Sequence, residues 1–297
     1  MKQKRLTAKD FDQRILDLYD YYAHGKITKR EFLKNIGKYT AAGVTALSVF
    51  NSLTPNYALA EQVSFNDPDI KATYVNYKSD NGNGEVEGYY VKPSNANGAL
   101  SAVLVVHENR GLNPYIKDVA RRVAKAGFIA LAPDGLTSLG GYPGNDDDGR
   151  EMQRQVDRQK LLNDFFNGFE FLYNNNETNK KIGAVGFCYG GGVCNALAVA
   201  YPELSASVPF YGSQAKSEDV PRIKSPLLLH YAELDERINK GWPEYEAALK
   251  ANNKDYTAHI YKDCNHGFHN DSTPRYDKKN AELAWERTIS FFKKNLS

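Results

Sequence analysis

The sequence predicts an α/β fold, a mostly parallel sheet with helices on both faces, preceded by a helical N-terminal extension. Three observations carry this expectation. Runs such as Ala102-Val103-Leu104-Val105-Val106 are apolar at every position, as strands buried on both faces must be. Longer stretches with helical spacing separate these runs, and Gly-, Pro- and Asp-rich segments punctuate them. With 297 residues, of which 41% are hydrophobic, the chain can bury a substantial core.

In chain order, the first segment is residues 1–62. Phe11, Ile15, Leu18, Tyr19 and Tyr22 recur at helical spacing within residues 7–22, with Thr7 as the cap. Thr28-Lys29-Arg30-Glu31-Phe32-Leu33-Lys34 follows, then a mildly apolar stretch at 41–50 and Ala58-Leu59-Ala60. A basic pair, an apolar stretch and a small-residue site outline an export signal. The heptad resembles the twin-arginine export motif with Lys29 in place of the first arginine. The alternative is a pair of amphipathic helices that stay attached and pack on the body or on a second subunit, giving a homo-oligomer. The first reading places the protein in the periplasm, the second in the cytoplasm. The apolar stretch is too short and too interrupted to span a membrane.

Residues 63–297 read as the main α/β domain. Residues 74–77 and 86–91 flank Asn81-Gly82-Asn83-Gly84 and predict an antiparallel hairpin at a sheet edge. A strand at 102–107, a helix at 114–126 closed by Gly127, and a strand at 128–132 follow. Residues 137–150 read as a loop and 155–174 as a helix. The pattern continues with strands at 181–187, 206–210, 226–231 and 257–261, and with helices at 190–201, 242–252 and 278–294. In such sheets the ligand sits beyond the carboxyl ends of the strands.

Bulk composition narrows the function. The formal charge of +2, with no Lys/Arg run, excludes an electrostatic nucleic-acid binder. Three cysteines do not make a disulfide framework, and Cys194 and Cys264 read as small buried hydrophobes. No spacing suggests a metal site, and no phosphate loop or other cofactor motif is visible.

The third cysteine has a different context. Gly186-Phe187-Cys188-Tyr189-Gly190-Gly191 follows a buried strand and opens a helix, the setting of a nucleophile elbow in an α/β-hydrolase fold. A sharp strand-to-helix turn needs small neighbours, which Gly186 and Gly190 supply. The helix N-terminus favours a thiolate at Cys188, and the Tyr189 N–H points where an oxyanion would form. In this fold the order is nucleophile, acid, histidine. Asp235 follows the apolar run at 226–231, and His266 lies beyond the strand at 257–261, before the last helix. Among other histidines, His107, His230 and His259 end or lie within strands. His269 is the competitor to His266.

Together His107-Glu108-Asn109-Arg110-Gly111, the elbow, Asp235 and His266-Gly267-Phe268 resemble the dienelactone hydrolase (carboxymethylenebutenolidase) family, from about residue 70 to the C-terminus. The resemblance implies a Cys188–His266–Asp235 triad that cleaves a small-molecule ester or lactone through an acyl-enzyme. It implies that Glu108 approaches the resting thiol, and that the Asn109 N–H joins that of Tyr189 as an oxyanion donor. The family's substrate-binding arginine, two residues after His-x-Phe, is Asn270 here. Arg275 or Arg150 is the candidate substitute.

Overall fold

The computed structural model describes residues 6–39 and 45–297. Three short helices come first: α1 (Gln13–Ala23), α2 (Lys29–Ile36) and α3 (Ala46–Leu53). Thr7 caps a single 3-10 turn rather than the long helix expected; the helix restarts at Gln13, with the Asp12 side chain accepting from the Arg14 N–H. The heptad with Lys29 and Arg30 forms α2, closed at its start by a Thr28/Glu31 capping box. The described part of the apolar stretch forms α3, and residues 40–44 lie outside the described residues. Tyr19, Tyr22, Phe32, Ile36, Phe50 and Leu53 pack into a small core of their own.

The body is one eight-stranded sheet. Its elements are β1 (Ile70–Ser79), β2 (Gly84–Pro93), β3 (Leu100–Val106), α4 (Pro114–Lys125), β4 (Ile129–Pro133), α5 (Asp146–Gln155), α6 (Arg158–Asn174), β5 (Thr178–Phe187), α7 (Tyr189–Ala200), β6 (Ala206–Phe210), β7 (Leu227–Ala232), α8 (Glu236–Asn239), α9 (Trp242–Ala251), β8 (Tyr256–Tyr261) and α10 (Lys278–Asn295). The strand order is β1-β2-β4-β3-β5-β6-β7-β8. The β1–β2 and β2–β4 pairs are antiparallel and the rest are parallel. Residues of α4 and α10 share one apolar core with the sheet, while α6, α7 and α9 share the core on the opposite face.

One element departs from the loop expected at 137–150. Helix α5 begins at Asp146 because Asn145 caps it, accepting from the Asp148 N–H, and three aspartates occupy its first turn beside the positive helix end. Val156 is extended and Asp157 caps α6, so the helix expected at 155–174 starts at Arg158 and ends where expected.

The topology positions the site. From β3 the chain moves outward to β4, then returns to lay β5 on the other side of β3. Loops leaving β3 and β5 therefore diverge and open a crevice at their carboxyl ends. Residues after β3, β5, β7 and β8 all face this rim. The turn after β5 leaves no spare volume: a Cβ on Gly186 would overlap the Gly190 carbonyl and come within 2.9 Å of the Cys194 sulfur. Gly186→Ala is expected to cost about 1–3 kcal/mol by overpacking, read as a lower urea midpoint with unchanged slope.

Candidate active site

Cys188 is the residue between β5 and α7, held at φ 57°, ψ −113°. A non-glycine residue at positive φ is strained, and such strain persists only where the surroundings enforce it. Here they do. The Cys188 N–H donates to the Phe210 carbonyl at 3.0 Å, and Gly190 packs so tightly on the end of β3 that a Cβ would strike the Val106 and His107 carbonyls. Tyr189 is the first residue of α7, so its N–H lies at the positive helix end.

Asp235 and His266 reach the same rim from β7 and β8. Asp235 caps α8, with one carboxylate oxygen 3.3 Å from the Ile238 N–H and the other 2.5 Å from His266 Nδ1. That contact leaves His266 Nε2 pointing elsewhere, buried and without a hydrogen-bond partner among the described residues. Burial works against charge on His266, but Asp235, Cys188 and Asp20 outweigh it and raise its pKa to about 10. Tyr211, itself at φ 38°, lies against this ring with centroids 4.9 Å apart.

The competing histidines are engaged elsewhere. His269 Nδ1 hydrogen-bonds the Tyr115 hydroxyl at 2.7 Å, and its ring stacks on Phe187. Burial, and then Arg122, hold it well below the usual imidazole range. His230 lies between the Tyr261 and Thr288 hydroxyls, and His107 between the Glu108 carbonyl and the Gly135 N–H. Cys194 and Cys264 are buried, and burial pushes the Cys264 thiol up to about 12 and that of Cys194 higher still.

Glu108 lies near enough to Cys188 for a thiolate there to raise its pKa, but its hydrogen bond goes elsewhere. Its carboxylate accepts from Asn270 Nδ2 at 3.0 Å and faces the Arg110 guanidinium at 3.4 Å. Asn270, standing at the position of the family's arginine, thus anchors Glu108 through its amide. Burial is the main reason that Glu108 sits above the usual carboxylate range, with Arg110 opposing. Asn109 is tied by its side chain instead, Nδ2 donating to the Ala23 carbonyl at 2.6 Å.

The thiol's hydrogen-bond partner is a residue that the sequence reasoning passed over. His24, at the C-terminal end of α1, places Nε2 3.1 Å from Cys188 Sγ. Its Nδ1 lies 2.8 Å from the Asp20 carbonyl and 3.2 Å from the Asp20 carboxylate. The Asp20 carboxylate also meets Arg237 Nε at 3.2 Å and Arg275 Nη1 at 3.6 Å. Burial pushes the Cys188 thiol up, but the facing imidazoles of His24 and His266 prevail and hold it well below the usual thiol range. The only local signal for His24 was Asp20 four residues earlier on one helix face.

The His24, Cys188 and His266 donor atoms all lie within 4.8 Å of one another, and by type they suit zinc. Arg237 Nη2, however, is 3.0 Å from His24 Nε2 and 3.2 Å from His266 Nδ1. A permanent cation against both imidazoles opposes a divalent ion and favours a thiolate.

Beside Cys188 opens a cavity of about 400 Å³. Arg150, Arg154, Arg158 and Arg237 line it, and no carboxylate does. Of the two candidate substitutes for the missing arginine, Arg150 borders this cavity. Arg275 is buried against α1, its guanidinium 5.2 Å from the Tyr19 ring centroid.

The dienelactone hydrolase family model matches residues 86–296. The chain belongs to this family. It is therefore a hydrolase of the dienelactone hydrolase type, acting on small molecules, and the eight-stranded sheet is that of an α/β-hydrolase. A YqhI-like family model matches residues 2–38, so this dienelactone hydrolase family member carries a recognisable segment where α1 and α2 lie. Over 114 residues it is 70% identical to the Escherichia coli K12 protein named "Putative hydrolase fragment YghX", covering 38% of this chain and 97% of that one. It is 32% identical over 231 residues to a "Putative carboxymethylenebutenolidase" of Saccharolobus solfataricus, covering 65% and 89%. Among solved structures, a dienelactone hydrolase-like promiscuous phosphotriesterase, P91, from metagenomic libraries shares the fold with a TM-score of 0.66 at 23% identity, over 77% of this chain and 100% of that one. Among the described residues, no helix is long and apolar enough to cross a membrane.

Proposed function

We propose that this family member hydrolyses carboxylic esters or lactones through Cys188, with His266 as proton carrier and Asp235 as its orienting carboxylate. The observation that carries this reading is the strained Cys188 at the head of α7, facing a histidine whose far nitrogen is held by Asp235. The thiolate attacks the carbonyl carbon, and the resulting oxyanion meets the backbone N–H groups of Tyr189 and Asn109. Each such donor is worth roughly 3 kcal/mol of barrier. The tetrahedral adduct expels the alkoxide, which takes the proton from His266 Nε2 and leaves a thioester on Cys188. Neutral His266 then takes a proton from water, hydroxide adds to the thioester, and the acid departs as the thiolate reforms.

An activated acetate ester, quenched in acid after a few turnovers, should leave one acetyl group on the peptide bearing Cys188. Acetyl on another residue, with turnover intact in Cys188→Ala, would refute the assignment. The four cavity arginines point to substrates carrying an anionic group away from the scissile bond. An ester with a free carboxylate should therefore exceed its neutral isostere in kcat/KM by about tenfold at low ionic strength. Salt should erode that ratio, because exposed charges are screened within roughly 10 Å at 0.1 M. Equal rates for the two esters would remove the anionic preference and leave the nucleophile assignment standing.

A further inference from the structure

The contact between α1 and the elbow has the same chemistry as the pair behind His266. Asp235 holds His266 Nδ1, which turns that ring's Nε2 toward the site. Asp20 faces His24 Nδ1 with both its carbonyl and its carboxylate, which leaves His24 Nε2 against the thiol. The two rings meet edge to face with centroids 4.8 Å apart. We propose that Asp20 and His24 form a second aspartate–histidine pair acting on Cys188, so that the N-terminal segment is a working part of the active site. This inference rests on the reading of Cys188 as the nucleophile.

The charges facing His24 make the assignment coherent. Asp20 stands on its own helix, Cys188 on the elbow, His266 on the loop after β8 and Arg237 on α8. Arg275 backs Asp20, Arg154 lies beside Gly25, and Asp235 lies behind His266. When the thiol proton moves to His24 Nε2, the Asp20 and Asp235 carboxylates and the thiolate face three cations: His24, His266 and Arg237. The transfer leaves the total charge of the group unchanged and makes an ion pair of His24 and the thiolate: Asp20 favours the imidazolium, while Arg237 favours the thiolate and opposes the imidazolium. Burial opposes charge on His24, but Cys188 and Asp20 raise its pKa above the usual value.

A division of labour follows. His24 holds the resting thiolate from the side of α1, while His266 handles the proton passed to the leaving group and taken from water. Glu108, engaged by Asn270 and Arg110, is not hydrogen-bonded to the sulfur in this arrangement. The hydrogen bond to the sulfur is made by His24. The segment is anchored for such a role. Gln13 Nε2 donates to Asn265 Oδ1 at 2.6 Å, the Tyr22 hydroxyl to Asp147 at 2.8 Å, and the Asn56 N–H to the Ser272 carbonyl at 2.7 Å.

The test is the pH dependence of Cys188 alkylation by iodoacetamide in the full-length protein, with the modified peptide identified by mass. Cys194 and Cys264, being buried with raised thiols, stay silent near neutrality. The parent should alkylate at a rate that holds down to below neutral pH. His24→Ala should slow it at least tenfold near pH 6, and the two rates should converge near pH 9. His24→Gln keeps the bulk without the charge and should follow His24→Ala, while Asp20→Asn should give a smaller shift in the same direction. A parental alkylation profile in His24→Gln would overturn the proposal, since the ring would then only pack. Faster turnover in His24→Ala with the alkylation profile unmoved would overturn it too, making α1 a plug over the site. These outcomes are separate from failure of the nucleophile assignment, which shows as ester hydrolysis persisting in Cys188→Ala.

Discussion

Cys188→Ala is expected to lower kcat/KM for an activated ester by about 10,000-fold or more, leaving only what cavity binding and the backbone donors supply. The effect is large because the other groups act through the sulfur. Without it, no thioester forms for His266 to serve, and the strained elbow presents a methyl group. Cys188→Ser is the sharper experiment. The hydroxyl fits the same turn, but its proton is far harder to remove than that of a thiol already held low by two imidazoles. The serine variant should therefore stay at least about 100-fold below the parent, since a general base contributes on that scale. Parental activity in the serine variant would mean that the thiol's ionisation does not matter. Steady-state kinetics on one ester, with circular dichroism to confirm folding, decides it.

Asp235→Asn is expected to lower kcat/KM by about 100- to 10,000-fold and to reshape its pH profile. The sign follows from the groups concerned. Acylation needs the thiolate and the protonated His266 together. Cys188 sits well below the usual thiol range, so the ascending limb lies on the acid side of neutrality. His266 is held up to about 10, so protonated histidine is present below that pH and is lost above it, giving a descending limb near pH 10. Burial alone would push His266 down, and Asp235 is the largest influence holding it up. Without that charge the descending limb should move toward neutral pH and narrow the plateau from its alkaline side. An unmoved limb would show that Asp235 only caps α8.

Much of the site was legible because its signals are local. A strand-to-helix turn flanked by Gly186 and Gly190 is a steric necessity that can be read from six consecutive residues. Asp235 and His266 could be placed because they follow apolar runs that had to be strands, and strand ends in a parallel sheet converge on one rim. Helix α5 was missed because glycine, proline and aspartate signal a loop, whereas here the aspartates follow an asparagine cap and favour a helix start. The long first helix was overextended for the opposite reason. Phe11 fits the apolar spacing, but Asp12 caps a new helix just beyond it.

The sequence by itself determined the alternation of strands and helices, the elbow and the order of the groups that follow it. These depend on backbone conformations and burial patterns that neighbouring residues impose. Only the tertiary structure decided which groups face the sulfur. Glu108 turns to Asn270 and Arg110 across 162 residues of sequence in the first contact, and His24 reaches Cys188 across 164. A buried charge takes whatever partner the packing brings within hydrogen-bond distance, and no local pattern encodes that choice.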